Sequence, residues 1–222
     1  MARMKTYPFN ELTAATLAEI AVICYEPRQP AVWEELARKE ISVREREILA
    51  IITDKLRYFR TILANEATVW ARAIYPVLAM AERGEIVAFS RVSLAAAFGD
   101  VQVRGEADGA LAWSVNEEPG TPYVVIIEAK RGVEATEPIS QLLGAMLCAA
   151  QKNERDGRPA DEMYGVYTVA DIWTFVRGQI DWSQPKPTMR VLPSGEYAEK
   201  TEAATILAIL ESIVDKYGEG AR

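Results

Sequence analysis

The residues best suited by type and spacing to do chemistry are Glu128 and Lys130, which follow an apolar run, YVVII at 123–127, as Glu-Ala-Lys. In an extended strand, residues two apart point to the same side and stand about 7 Å apart. The carboxylate and the ammonium therefore leave such a strand side by side. The preceding segment, GEADGALAW at 105–113, sets Glu106 and Asp108 on one face in the same way. Hairpin pairing of these two strands predicts that Asp108 lies near Glu128. Two carboxylates at about 4 Å repel by roughly 4 kcal/mol at an effective dielectric near 20. A hard divalent cation with oxygen ligands removes that cost, so Mg2+ is the expected cofactor, with Mn2+ as its substitute.

Composition narrows the chemistry further. The chain has 222 residues, 25 Lys and Arg against 32 Asp and Glu, two Cys and no His. Without His there is no Ser-His-Asp triad, no His-ligated zinc and no imidazole acid or base, and two Cys cannot make a four-thiolate site. Cys24 and Cys148 suit a reduced, cytoplasmic setting. The first twenty residues lack the apolar core of a signal peptide, and no stretch approaches 18 uncharged apolar residues, so no membrane span is expected. With 50% hydrophobic residues the chain can bury a sizeable core.

The elements that would hold these residues follow from patterning. Short helices are predicted at Leu12 to Ile23 and Ala31 to Lys39, separated by the turn at 27–30. Ser42 and Glu45 form a capping box that opens a long helical pattern from Val43 to Gly84, with a kink or break near Pro76. One helical stripe reads Phe59, Ile62, Glu66, Trp70, Ala73, Val77 and Met80, placing Glu66 on a core-facing side, where a carboxylate needs a cation or a donor. Strands are predicted at 86–98, 101–113 and 123–130, with a turn at 117–122 between the last two. A helix follows, with Pro138 near its first turn and Gln141 inside that turn, where free N–H groups favour phosphate. A strand pair at 163–169 and 172–178, a loop around 183–188 and a closing amphipathic helix complete the chain. This order specifies an α/β (α+β) fold, a central mixed sheet flanked by helices.

In that order, Glu66 on a helix, Asp108 on a strand, Glu128 and Lys130 on the next strand and Gln141 on the following helix resemble the PD-(D/E)xK nuclease superfamily. NEATVWARAIYPVL (65–78) and MYGVYTVADIWTFVRG (163–178) are similar to segments of the nuclease module of type I restriction enzymes. The similarity covers about residues 60–180. The Pro of the family's name is absent, since Asp108 follows Ala107, and a Tyr found in some relatives four residues after the Gln is here Ala145. The resemblance implies a restriction-endonuclease-like core at 61–222, preceded by an N-terminal helical extension at 1–60. It implies that Asp108 and Glu128 bind Mg2+ with Glu66 completing the site, that Lys130 assists the attacking water or the reacting phosphate, and that Gln141 positions Lys130 or a backbone phosphate. Glu106 is a spare ligand in this scheme. The implied activity is metal-dependent hydrolysis of phosphodiester bonds in DNA, with RNA left open. Its rivals are a catalytically silent nuclease-fold module that binds nucleic acid or protein, and a phosphodiesterase of small nucleotides. The net charge of −7 sits poorly with a DNA partner, and Lys55, Arg57, Arg60, Arg104, Arg131, Lys152 and Arg155 are the candidate phosphate contacts. A homodimer is expected, because cutting two strands is geometrically easier with two copies.

Overall fold

The computed structural model describes residues 4–131 and 138–218. Among them, eight strands form one mixed sheet: β1 (Lys5–Pro8), β2 (Val22–Tyr25), β3 (Ile86–Phe98), β4 (Val101–Val115), β5 (Glu118–Lys130), β6 (Glu162–Val169), β7 (Ile172–Asp181) and β8 (Thr188–Ala198). Their order is β1-β4-β5-β6-β7-β8-β2, with β3 paired along the other flank of β4. The β1–β4, β5–β6 and β2–β8 pairs are parallel and the rest antiparallel. The helices are α1 (Ala14–Ile20), α2 (Pro30–Leu36), α3 (Val43–Arg57), α4 (Glu66–Val69), α5 (Tyr75–Met80), α6 (Ile139–Arg155) and α7 (Glu199–Gly218).

Both faces of the sheet are covered, as an apolar run such as Val124–Ile127 requires. On one face Leu142, Met146 and Leu147 of α6 pack with Ile126, Val176 and Val191. The α6 helix comes so close there that a Cβ on Gly165 would lie 2.5 Å from Met146 Sδ. On the other face α2, α3, α5 and α7 bury Trp33, Leu56, Leu78 and Ile213 against Val125, Ile127 and Phe175. Among the described residues no helix is long and apolar enough to cross a membrane.

Several expectations are corrected. The first 60 residues are not wholly helical: β1 pairs with β4 and β2 with β8, so this segment supplies strands to the same sheet. The Ser42–Glu45 capping box forms, with Glu45 N–H donating to Ser42 Oγ and Ser42 N–H to Glu45 Oε2. The helix it opens stops at Arg57, however, and restarts at Glu66, where Asn65 Oδ1 accepts from Thr68 N–H at 2.8 Å. At Pro76 the chain does not break. A π turn at Trp70–Ile74 precedes it, and the Tyr75 N–H bonds back to the Trp70 carbonyl, which widens the helix before the ring that lacks a donor. The turn before β5 is shorter than expected. It is Asn116–Glu117, both with positive φ (51° and 64°), and Pro119 lies inside β5. Proline is tolerated there because, among the described residues, the start of β5 pairs only with β4 and needs no donor on its other side. Strand β8 lies where the patterning suggests no strand; Pro193, Ser194 and Gly195 interrupt its alternation, and Ser194 Oγ accepts the Phe175 N–H at a bulge.

Candidate active site

The β4–β5 ladder ends at Gly109↔Ile127, so Asp108 and Glu128 are the next residues along the two strands. Beyond this pair the strands part, and the far end of β4 takes β1 as its neighbour from Val101 to Arg104. Asp108 sits in the fork. Its Oδ2 accepts from the Ala129 N–H at 2.6 Å, so a side chain takes up a backbone donor that no longer faces a strand. One turn of the pleat further, Lys130 Nζ donates to Glu128 Oε1 at 2.5 Å. Both side chains are deeply placed, at 3% exposure for Glu128 and 17% for Lys130.

The electrostatics match this burial. Desolvation pushes the Glu128 carboxyl up to about 7, and the neighbouring Asp108 charge adds to that rise while the Lys130 bond opposes it. Asp108 is also raised, chiefly by burial, against the pull of the Ala129 amide. Burial acts to lower Lys130, but its bond to Glu128 and the charges of Glu128, Asp108 and Glu66 outweigh this and leave it raised. Lys130 is therefore an ammonium at neutral pH, held beside two carboxylates that gain from a second cation.

Glu66 is not on a core-facing stripe. It is the exposed first residue of α4; Ala73 and Val77 of the expected stripe are buried, but across the π turn the residue that joins them in the core is Val69, while Ile62 and Glu66 face solvent. Glu66 nevertheless reaches the site. It lines a cavity of about 390 Å3 with Ala67, Trp70, Ser90, Arg91, Glu106, Asp108 and Ala129, and its charge is felt by Asp108, Glu128 and Lys130. Gln141 stands in the first turn of α6, half-buried, and no hydrogen bond joins it to Lys130 among the described residues. Glu106 is held by Arg91, with Nε to Oε1 at 2.7 Å.

The cavity wall explains a glycine. A Cβ on Gly109 would lie 2.3 Å from Trp70 Cη2, so the residue after Asp108 must lack one for Trp70 to close over β4. Trp70 Nε1 in turn donates to Ser90 Oγ at 2.9 Å. Sequence reasoning misses Ser90 and Arg91; the only signal is an adjacent polar pair in a strand whose one other polar residue is Ser93, IVAFSRVSLAAAF. Of the candidate phosphate contacts, Arg104 and Lys152 line an adjoining groove of about 560 Å3 that shares Glu106 with the cavity. Lys55, Arg57, Arg60, Arg131 and Arg155 are exposed and line neither the cavity nor this groove, and Arg57 pairs with Asp54 at 3.6 Å.

Among the described residues no three Asp, Glu or Cys side chains form a ready-made metal cage. The donor chemistry still fits a hard cation: Asp108 and Glu128 each keep one carboxylate oxygen outside the hydrogen bonds described, and Glu66 lies on the wall that Asp108 shares. No protein-family model and no curated protein matches this sequence.

Proposed function

We propose that this chain is a metal-dependent nuclease of the PD-(D/E)xK type that hydrolyses phosphodiester bonds of DNA. The observation that carries this reading is that Asp108 and Glu128 are the first residues past the last β4–β5 rung, close enough for the Asp108 charge to act on Glu128, with Lys130 bonded to Glu128. Asp108 and Glu128 would hold Mg2+ or Mn2+, with Glu66 extending the set. Such an ion supplies Lewis acidity toward a phosphodiester oxygen. The chain's own residues do the rest. The Ala129 amide keeps Asp108 aimed into the fork. Lys130, charged at neutral pH, would donate toward the reacting phosphate. Trp70 and Ser90 wall the cavity on one side. The acidic net charge is offset locally by Arg91, Arg104 and Lys152, which stand along the cavity and its adjoining groove. A cytoplasmic setting belongs to the same reading and rests on two free cysteines.

A rival reading, a catalytically silent binding module, draws on the closed Lys130–Glu128 pair. Incubation of supercoiled plasmid with the protein and Mn2+ or Mg2+ separates the two. Nicking that EDTA stops and that Asp108→Asn lacks supports the nuclease. Metal binding and DNA binding without nicking support the module. Cleavage of small nucleotides but not of plasmid would point instead to a phosphodiesterase.

A further inference from the structure

We propose that Arg91 is a phosphate-binding residue of this site, parked on Glu106 in the free protein and transferred to a nucleic-acid phosphate beside Asp108. The proposal rests on the nuclease reading and names a substrate contact within it.

The β3–β4 ladder runs from Ile86↔Trp113 to Phe98↔Val101 with one rung missing, between Ser90↔Gly109 and Val92↔Ala107. The residue at the gap is Arg91, and the residue across from it is Asp108. Arg91 has φ +57°, the left-handed region that a residue with a Cβ occupies only under strain. The side chain is 79% exposed, and its contact is an ion pair with Glu106, itself 43% exposed. Exposed pairs of this kind contribute little to stability. A glycine or asparagine would suit the backbone better. The strain therefore serves the position of the guanidinium, which the kinked backbone presents on the same cavity wall as Asp108.

The chemical class of the ligand follows from the group and its surroundings. A guanidinium offers paired donors that match a phosphate's oxygens, and it keeps its charge at any physiological pH. Glu106 is a weak holder that a phosphodiester can displace. It also borders the groove of Arg104 and Lys152, so a strand reaching Asp108 past Arg91 continues toward two further cations. That spacing of cations along connected grooves suits a polynucleotide rather than a single nucleotide.

The test uses a fluorescein-labelled oligonucleotide duplex, anisotropy titrations in Ca2+ over a salt series, and thermal melts of the same proteins. Arg91→Gly is expected to melt at or above the parent while binding the duplex about tenfold more weakly, with the slope of log K against log salt smaller by about one. Arg91→Lys should keep most of that slope. Glu106→Gln, which removes the competitor, should bind more tightly than the parent. Arg91→Gly that binds like the parent, or melts clearly below it, overturns the proposal. If that variant binds like the parent while Asp108→Asn still abolishes nicking, only the Arg91 assignment fails; if the parent neither binds nor nicks, the nuclease reading fails and takes this assignment with it.

Discussion

The Asp108 carboxylate and the Ala129 amide are joined by a 2.6 Å hydrogen bond at the point where β4 and β5 separate. The bond gives Asp108 two tasks that substitution can divide. Asp108→Asn keeps an oxygen that can accept the Ala129 N–H and removes a negative charge beside Glu128. Its melting temperature without metal should equal or exceed the parent's, while stabilisation by Mn2+ and plasmid nicking are both lost. Asp108→Ala leaves a buried amide without its acceptor and should cost about 1–3 kcal/mol in denaturant unfolding. An Asn variant that unfolds as readily as the Ala variant would show that charge, and not the hydrogen bond, matters at this position.

In the proposed nuclease, Lys130 would act on the opposite side of the same chemistry. A cation beside Glu128 repels a metal ion but favours a phosphate that gathers negative charge. Lys130→Ala should therefore bind Mn2+ as well as the parent or slightly better in calorimetric titration, while nicking falls by roughly 10²–10³, the scale of a lost transition-state contact. Unchanged cleavage would return Lys130 to the role of a structural partner of Glu128.

Residues that act through local spacing are legible in the sequence, and those that act through distant pairing are not. The run Val124–Ile127 is buried on both faces as its composition demands, and the phase of Glu128, Lys130 and Asp108 follows from strand geometry and one hairpin register. The edge strands behave otherwise. Lys5–Pro8 and Val22–Tyr25 are strands only because Val101–Arg104 and Thr188–Val191 lie beside them, partners far away in sequence, and a four-residue segment carries too short an alternation to announce itself. Glu66 reaches the site for a reason other than its place in a helical stripe. The stripe presupposes a continuous helix, whereas the helix begins at Glu66 and a π turn separates it from Ala73 and Val77, so the buried part of the stripe continues back to Val69 and not to Glu66. Arg91 has no signal in the sequence beyond its polarity, since a positive φ on arginine runs against every local preference.

Gly109 links packing to the site. A methyl group there would overlap the Trp70 ring, and the ring is held from its other side by Ser90. Gly109→Ala should destabilise by about 1–3 kcal/mol through overpacking and should also slow nicking, because Trp70 must swing toward the cavity that Asp108 lines. Combining it with Trp70→Phe should recover, in chemical denaturation, the part of the loss owed to the ring, while the Phe89 carbonyl oxygen, 2.8 Å from the same Cβ, keeps the rest. If the double variant is no more stable than Gly109→Ala alone, the strain lies in the β4 backbone and not against the ring.

Away from the site, Glu199 gives stability a slope with pH. It is fully buried at the start of α7; Oε2 accepts from Trp173 Nε1 at 2.9 Å, and Oε1 is buried without a hydrogen-bond partner among the described residues. Burial raises its carboxyl to about 8 from an ordinary 4.5, with the nearby Asp171 charge adding to the rise against the Trp173 bond. The unfolded chain thus gives up this proton near 4.5 while the folded chain keeps it to about 8. The resulting stability is fully present below the lower value, declines as pH rises through the window, and is gone above the upper one, at up to about 1.4 kcal/mol per pH unit. Glu199→Gln cannot titrate, so urea unfolding at pH 5, 6.5 and 8 should show a shallower decline for the variant, with its stability relative to the parent improving at each step. Some slope should persist in the variant, because Glu211 is also raised by burial and contributes in the same sense. Parallel curves for the two proteins would mean that Glu199 is ionised in the folded state and that its partnerless oxygen is reached by water.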